Sequence, residues 1–414
     1  MRDFLPAEKA QRERVLAVIR STFTGRGFEE IETPVMEDSE RLHAGLGGDN
    51  EKLAFGVMKR GLTVESLREA SEPLDLADLG LRFDLTVPLA RFYATHRAEL
   101  PTVFRAIQIA PVWRAERPQK GRYRQFVQCD IDIIGEAGPL AEIELITATV
   151  AALEALGLAG TSIRINDRRL LTSTLEQLGF PAKEHAAVLI TVDKLDKVGH
   201  GGVITELRDR GFPAAPVDAL EAFFARPTAP ALHFGEAAIR ASVPEGVDES
   251  AVVELASIGE TVNRAVGRPV VEFDPWLVRG MGYYTGPIFE VAHPSLGYSL
   301  GGGGRYDGMI GRFLGADVPA AGFSLGFERL VDLVELDDDA AGDAVALVHE
   351  GDVDPVHLLG LQAALVASGK RVRLERRPKN VKPLLEMLEA SGFSSYATVT
   401  PGSTIDGLEW KALG

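Results

Sequence analysis

Cysteine is almost absent from this sequence, since Cys129 is the single thiol in 414 residues. One cysteine cannot form a disulfide within the chain, which favours a reducing, cytoplasmic location. Apolar runs of roughly 18 residues, the length of a membrane span, are missing, and the first residues lack the apolar core of a signal peptide. Basic residues are in deficit, 44 Lys and Arg against 60 Asp and Glu, for a formal charge of −16. Because such a protein repels a phosphate backbone, any contact with nucleic acid must be local.

Apolar residues make up 45% of the chain, enough to bury more than one core at this length. An acidic run of small residues at 335–343 is typical of a linker. We predict a first domain at 1–334, containing a helical region at about 170–265, and a second domain at 344–414. In the second domain strand patterns alternate with helix patterns, which predicts a small α/β unit.

Residues 111–134 carry the densest group of chemically versatile side chains. They read as two β-strands joined by a loop with five basic residues and one Glu between Arg114 and Arg124. Successive side chains of a strand point to opposite faces, so the odd positions from 127 to 133 face a core. The even positions form a polar row of Arg122, Arg124, Phe126, Gln128, Asp130 and Asp132. An antiparallel hairpin would direct Arg114 and Glu116 into the same pocket, where guanidinium groups suit phosphate.

The hairpin sequence resembles motif 2 of the class II aminoacyl-tRNA synthetases, in particular of the histidine-specific branch. The similar stretch is Arg117-Pro-Gln-Lys-Gly-Arg-Tyr-Arg-Gln-Phe126. Four further stretches resemble the same family and occur along the chain in the family's order, at Leu81–Pro88, Leu277–Gly286, Gly303–Asp307 and Pro319–Leu330. The resemblance implies an α+β class II synthetase catalytic core, an antiparallel sheet with flanking helices. It also implies a helical insertion at about 170–265 and a small C-terminal α/β domain, at 344–414, of the anticodon-binding kind. Residues 28–34 resemble motif 1, which implies a homodimer.

The same resemblance implies an enzyme that activates L-histidine with ATP and Mg²⁺ to histidyl-adenylate and transfers it to tRNA(His). The family's catalytic arginines match Arg114 and Arg279. The residues that match ATP contacts are Arg114, Glu116, Arg122, Phe126 and Arg329. Those that match histidine contacts are Asp84, Thr86, Gln128, Asp132, Tyr284 and Tyr306. Arg117 and Gln119 match contacts to tRNA.

A second basic segment, Lys370–Lys382, contains seven basic residues and one Glu. Such a run is either a solvated charged face or, in a synthetase-like chain, a contact for tRNA. Both interpretations stay open at this stage.

Two other functions also remain open. The regulatory subunit of ATP phosphoribosyltransferase resembles the same core, but it binds histidine as a signal, charges no RNA and lacks the C-terminal domain. A paralogue of the synthetase would activate an amino acid for another acceptor. The second domain and the three arginines Arg114, Arg279 and Arg329 favour the synthetase over the regulator.

Overall fold

The computed structural model describes residues 1–43, 53–117, 123–226, 234–279, 282–335 and 344–413. The chain divides into two compact units, one of residues 1–2 and 15–334 and the other of residues 3–14 and 335–414. Apart from residue 335, the predicted linker at 335–343 lies outside the described residues. No helix within the described ranges is both long and apolar enough to cross a membrane.

The helices and strands alternate irregularly along the chain. The α-helices are α1 (Pro6–Thr24), α2 (Ser39–His43), α3 (Val64–Glu69), α4 (Pro73–Leu76), α5 (Thr86–His96), α6 (Leu140–Ala155), α7 (Arg168–Gln177), α8 (His185–Val192), α9 (Leu195–Asp209), α10 (Ala214–Phe224), α11 (Glu236–Ala241), α12 (Glu249–Val266), α13 (Asp307–Leu314), α14 (Phe327–Val331), α15 (Pro355–Ala367) and α16 (Lys382–Ala390). The strands are β1 (Glu29–Glu30), β2 (Met36–Asp38), β3 (Phe55–Met58), β4 (Ala77–Leu81), β5 (Phe104–Trp113), β6 (Gln125–Ile134), β7 (Ser162–Asp167), β8 (Val271–Phe273), β9 (Pro287–Ala292), β10 (Gly301–Arg305), β11 (Ala320–Gly326), β12 (Ala344–His349), β13 (Arg371–Arg376), β14 (Ser395–Val399) and β15 (Trp410–Ala412).

The first unit is built on an eight-stranded sheet with the order β1-β5-β6-β11-β10-β9-β7-β8. Strands from β5 to β7 pair antiparallel, whereas β1 and β8 add parallel edges. The helical region predicted at about 170–265 contains α7 to α12. The predicted α+β core with a helical insertion is therefore confirmed.

Strand β6 occupies the middle of this sheet and pairs along its length with β5 and β11. The predicted parity is confirmed, because the odd-numbered Cys129 and Ile131 are fully buried in the core. On the partner strand β11, Gly322 lies opposite Asp132 and Ser324 lies opposite Asp130. The polar row therefore has small neighbours, which leave space above this face of the sheet.

The second unit contains a four-stranded sheet with the order β13-β12-β14-β15. Strand β12 pairs in parallel with β13 and β14, as strand–helix alternation predicts. The buried face of α15, with Leu358, Leu361 and Leu365, packs in the core of this unit. The predicted small α/β unit is confirmed, and β14 and β15 are strands that the pattern did not predict.

A buried ion pair joins helix α6 to strand β10 of the eight-stranded sheet. Arg305, at the end of β10, donates from Nε and Nη2 to the two carboxylate oxygens of Glu142, at 2.6 and 2.8 Å. The same guanidinium donates to the carbonyl oxygens of Glu136 and Gly138. Because both side chains are buried, each charge depends on the other for compensation.

Removal of the Glu142 carboxylate should therefore lower the stability of the first unit far more than removal of an exposed carboxylate. We expect Glu142→Ala to destabilise the first unit by about 3–5 kcal/mol, because the buried Arg305 guanidinium loses the carboxylate that compensates most of its charge and keeps only the partly exposed Asp307 as an acidic partner. Thermal unfolding of the variant should begin several degrees lower. Glu249→Ala, which breaks the exposed pair with Arg240, is the control and should have little effect. Equal melting temperatures for both variants would contradict this account.

Candidate active site

The polar row of β6 faces an open cavity of about 850 Å³. Its walls come from the even positions of β6, the loop before α5, the strands β9 to β11 and the start of α9. Two groups of residues line the cavity. One group contains carboxylates and other hydrogen-bonding side chains, and the other contains arginines and aromatic rings. A cavity that gathers charged groups of both signs suits a ligand with several charges.

Three carboxylates, those of Asp84, Asp130 and Asp132, are almost completely buried in the cavity wall. Burial raises the pKa of each of them, to about 7 for Asp132. The charge of Asp132 adds to the effect of burial on the pKa of Asp130. Burial disfavours the ionised form and neighbouring negative charges disfavour it further. A cationic ligand placed here would restore the ionised form.

Hydrogen bonds hold this acidic group in place. The hydroxyl of Tyr306 donates to Asp132 at 2.5 Å, and the backbone N–H of Val87 donates to Asp84 at 3.1 Å. The amide of Gln128 donates to Ser324 Oγ at 3.0 Å. Within the described ranges, no donor reaches Asp84 Oδ2 or Gln128 Oε1, although both atoms are buried. Because buried acceptors are normally satisfied, these two oxygens are candidate acceptors for a ligand.

Three tyrosines surround the carboxylates. The rings of Tyr283 and Tyr306 meet edge to face with centroids 6.1 Å apart, and Tyr284 lies 4.8 Å from Tyr283. Burial raises the pKa of all three phenols. They therefore remain neutral at physiological pH and can both donate and accept hydrogen bonds.

Glycines in β10 and β11 make room for these side chains. A Cβ at Gly302 would overlap the guanidinium of Arg279, and a Cβ at Gly322 would overlap the carboxylate of Asp132. A Cβ at Gly304 would lie 2.9 Å from the Tyr284 ring. These glycines of β10 and β11 thus let large polar side chains lie directly against the backbone of the sheet.

Arginines and aromatic rings line another part of the cavity. Arg114 donates from Nε to the carbonyl of Phe83 at 3.0 Å, and its guanidinium carbon lies 5.0 Å from the centre of the Phe126 ring. The guanidinium carbon of Arg329 lies 5.0 Å from the centre of the Tyr298 ring. A guanidinium near an aromatic face provides both a positive charge and a flat apolar surface. A nucleotide presents matching groups, its phosphates and its base.

The family profile described as histidyl-tRNA synthetase matches residues 1–330. The chain belongs to the histidyl-tRNA synthetase family. A histidine–tRNA ligase of Leifsonia xyli is 56% identical over 418 residues, which cover 100% of this chain and 97% of the relative. The crystal structure of histidyl-tRNA synthetase from Nostoc sp. PCC 7120 superposes with a TM-score of 0.74 at 26% identity, over 96% of this chain and 90% of that one.

A further crystal structure shares the fold at 22% identity, with a TM-score of 0.75 and coverage of 97% of each chain. It is described as an ATP phosphoribosyltransferase regulatory subunit/histidyl-tRNA synthetase from Bacillus halodurans C. At this identity the similarity concerns the fold alone.

Most residues matched to histidyl-tRNA synthetase contacts come together in the one cavity. They are Asp84, Thr86, Arg114, Glu116, Phe126, Gln128, Asp132, Arg279, Tyr284, Tyr306 and Arg329. Arg117 is exposed and does not line the cavity. Gln119 and Arg122 lie outside the described residues. The individual roles of all these residues remain predictions.

The structure also adds cavity residues that were not assigned a role from the sequence. Asp130 belongs to the polar row of β6, so its parity already placed it on this face. Tyr283, Arg164 and Glu290 also line the cavity. Glu290 lies opposite Gly302 across two strands, and local sequence patterns do not reveal such a register.

The raised pKa of Asp132 predicts a specific pH dependence of stability. The folded protein holds this proton up to about pH 7, whereas the unfolded chain releases it near pH 4. Stability contributed by the proton is complete below pH 4 and is lost as the pH rises to 7, by about 4 kcal/mol in total. Asp132→Asn cannot titrate and still accepts the Tyr306 hydrogen bond.

The measurement is the melting temperature of both proteins from pH 4 to pH 8 without ligand. We expect the stability of Asp132→Asn relative to the parent protein to increase with pH across this range. A difference that stays constant with pH would show that Asp132 has an ordinary pKa.

Proposed function

We propose that the cavity is where this chain activates L-histidine with ATP, in order to charge tRNA(His). The observation that carries the proposal is that two groups of side chains line one cavity. One group consists of buried carboxylates together with acceptor oxygens that lack a donor, and the other consists of arginines beside aromatic rings. Full-length similarity to a histidine–tRNA ligase supports the same function. That similarity extends through the second unit, which favours charging over the regulatory function considered above.

Histidine binds at the carboxylate group in this proposal. Its α-ammonium and ring N–H groups are donors, which suits the unsatisfied oxygens of Asp84 and Gln128. Asp132 and Tyr306, joined by their hydrogen bond, and Thr86 and Tyr284 complete the pocket. A pocket that hydrogen-bonds its substrate rejects apolar amino acids strongly, because its buried polar groups would stay unpaired.

ATP occupies the arginine-rich part. Phe126 and a guanidinium plane provide surfaces for adenine, and Glu116 lines the cavity on the same side of the hairpin. Arg114 and Arg329 supply positive charge for the phosphates. Arg122 is assigned to the nucleotide by resemblance only. Mg²⁺ would accompany ATP and would neutralise part of the phosphate charge.

The first chemical step joins a histidine carboxylate oxygen to the α-phosphorus while the bond to pyrophosphate breaks. Negative charge increases on the non-bridging oxygens during this exchange, so fixed cations at those oxygens lower the barrier. Arg114 and Arg279 are the cations assigned to this task. In the second step a terminal ribose hydroxyl of tRNA attacks the activated carbonyl carbon, and AMP leaves.

The RNA contacts are assigned to two places. Arg117 and Gln119, in the hairpin loop, are assigned to the acceptor end of tRNA(His). The basic segment Lys370–Lys382 includes β13, an edge strand of its sheet with exposed arginines. An exposed basic edge supports contact with an RNA backbone, although Arg373 and Arg377 also pair with acidic neighbours. The second unit is accordingly proposed as the anticodon-binding domain of a cytoplasmic homodimer.

Two assays on the purified protein test the function. Histidine-dependent exchange of pyrophosphate into ATP reports activation, and attachment of radiolabelled histidine to purified tRNA(His) reports charging. We expect both activities. Exchange without charging would indicate a paralogue with another acceptor, and the absence of both would indicate a histidine-binding regulator.

A single substitution tests the assigned chemistry. Arg279→Ala should slow adenylate formation by about two to three powers of ten, as loss of one preorganised charge contact in a transition state typically does. Affinity for histidine, measured by calorimetry, should fall much less. Adenylate formation at the normal rate in this variant would remove Arg279 from the mechanism.

A further inference from the structure

The orientation of Arg279 depends on an acidic residue of the neighbouring strand. Nη1 of Arg279 donates to Oε2 of Glu290 at 3.0 Å. Arg279 itself lies outside any helix or strand, whereas Glu290 lies within β9. The guanidinium is therefore fixed by a side chain that a regular element holds in place.

The backbone beneath Arg279 completes this arrangement. Glu290 and Gly302 are paired across β9 and β10, and the space that a Gly302 side chain would fill is occupied by the guanidinium. The guanidinium thus lies on the backbone of β10, beside the carboxylate of the paired residue. Contacts from the side and from below leave it little freedom to turn.

Glu290 also contacts a second arginine. Its Oε1 forms an ion pair with Nη2 of Arg164, whose Nη1 donates to Asp274 at 3.1 Å. Arg164 and Arg279 share the single negative charge of Glu290. That charge therefore does not fully neutralise the guanidinium of Arg279. Among the described residues, the Arg279 guanidinium donates a hydrogen bond to Glu290. The other N–H groups of Arg279 are therefore available to a substrate.

We propose that Glu290 is the positioning residue for Arg279. It holds the guanidinium over Gly302 in the orientation that the reaction needs, and its pairing with Arg164 keeps the carboxylate itself in place. This inference rests on the catalytic role of Arg279 in the proposed function. It differs from that role because Glu290 is assigned to act through the Arg279 guanidinium and not on the reacting atoms.

A double-mutant cycle tests the proposal. The rate of histidyl-adenylate formation is measured in single turnover, at saturating ATP and histidine, for the parent protein, Glu290→Ala, Arg279→Ala and the double variant. Glu290→Ala should lower the rate about 10- to 100-fold, because displacing a catalytic group by about 1 Å has this effect. The KM values for ATP and histidine should change much less than the rate.

The decisive comparison is made in the Arg279→Ala background. If Glu290 acts only through Arg279, its removal there should change the rate less than about threefold, since interacting residues give non-additive effects. Equal effects of Glu290→Ala in both backgrounds would overturn the proposal, as would an unchanged rate in the single variant. A normal rate for Arg279→Ala alone would instead refute the role assigned to that arginine under the proposed function.

Two further variants separate positioning from a general structural role. Glu290→Gln keeps one oxygen that accepts from Arg279 but turns an NH2 group toward Arg164, so it should recover part of the rate lost in Glu290→Ala. Glu144→Ala is the matched control, because Glu144 forms a comparable half-buried pair with Arg105, at 2.6 Å, and does not line the cavity. It should leave adenylate formation unchanged. A comparable loss of rate in the control, or no recovery with glutamine, would count against positioning by Glu290.

Discussion

Burial of three neighbouring carboxylates is the constraint on which the rest of this site depends. Asp84, Asp130 and Asp132 are removed from water within one cavity, which disfavours their ionised forms. The surrounding donors, chiefly the Tyr306 hydroxyl and the Val87 backbone N–H, satisfy only part of the group. A positively charged ligand would favour the ionised forms of these carboxylates, which is why the proposed histidine site is placed beside them.

Space is the second requirement, and strand β10 provides it. Glycine weakens most strands, because it adds no side-chain packing and has more conformational freedom to lose. β10 tolerates four consecutive glycines because it is paired on both sides, with β9 and β11. Arg279 and Tyr284 rest where side chains of β10 would otherwise stand. The stability of the sheet thus comes from neighbouring strands, while β10 supplies room for chemistry.

The sequence predicted the parts of the site that follow a local pattern. Alternation along β6 placed Gln128 and Asp132 on one face, and the hairpin register brought Arg114 to the same side. Glu290 escaped prediction because its partner Arg279 is brought to it by loop geometry and strand register. These depend on tertiary packing, which short-range periodicity does not encode.

The same distinction applies to the fold. The alternation of β12, α15 and β13 in the second unit was readable from the sequence. The small sheet β2-β4-β3 was not, since its strands are only three to five residues long and alternate too briefly to give a signal. Strand β14 is similarly short, and its place beside β12 follows from the packing of the whole unit.

The pairing of β6 with β11 has a consequence for how the protein is made. Residues 132 and 322 are neighbours in the sheet, yet the six helices α7 to α12 are synthesised between them. Closing so long a loop is slow compared with forming a local hairpin such as β5–β6. During translation β6 must wait with one edge unpaired while the helical region emerges from the ribosome. Such an edge can pair with the wrong strand, so the nascent chain is most exposed to misassembly just before its catalytic sheet is completed.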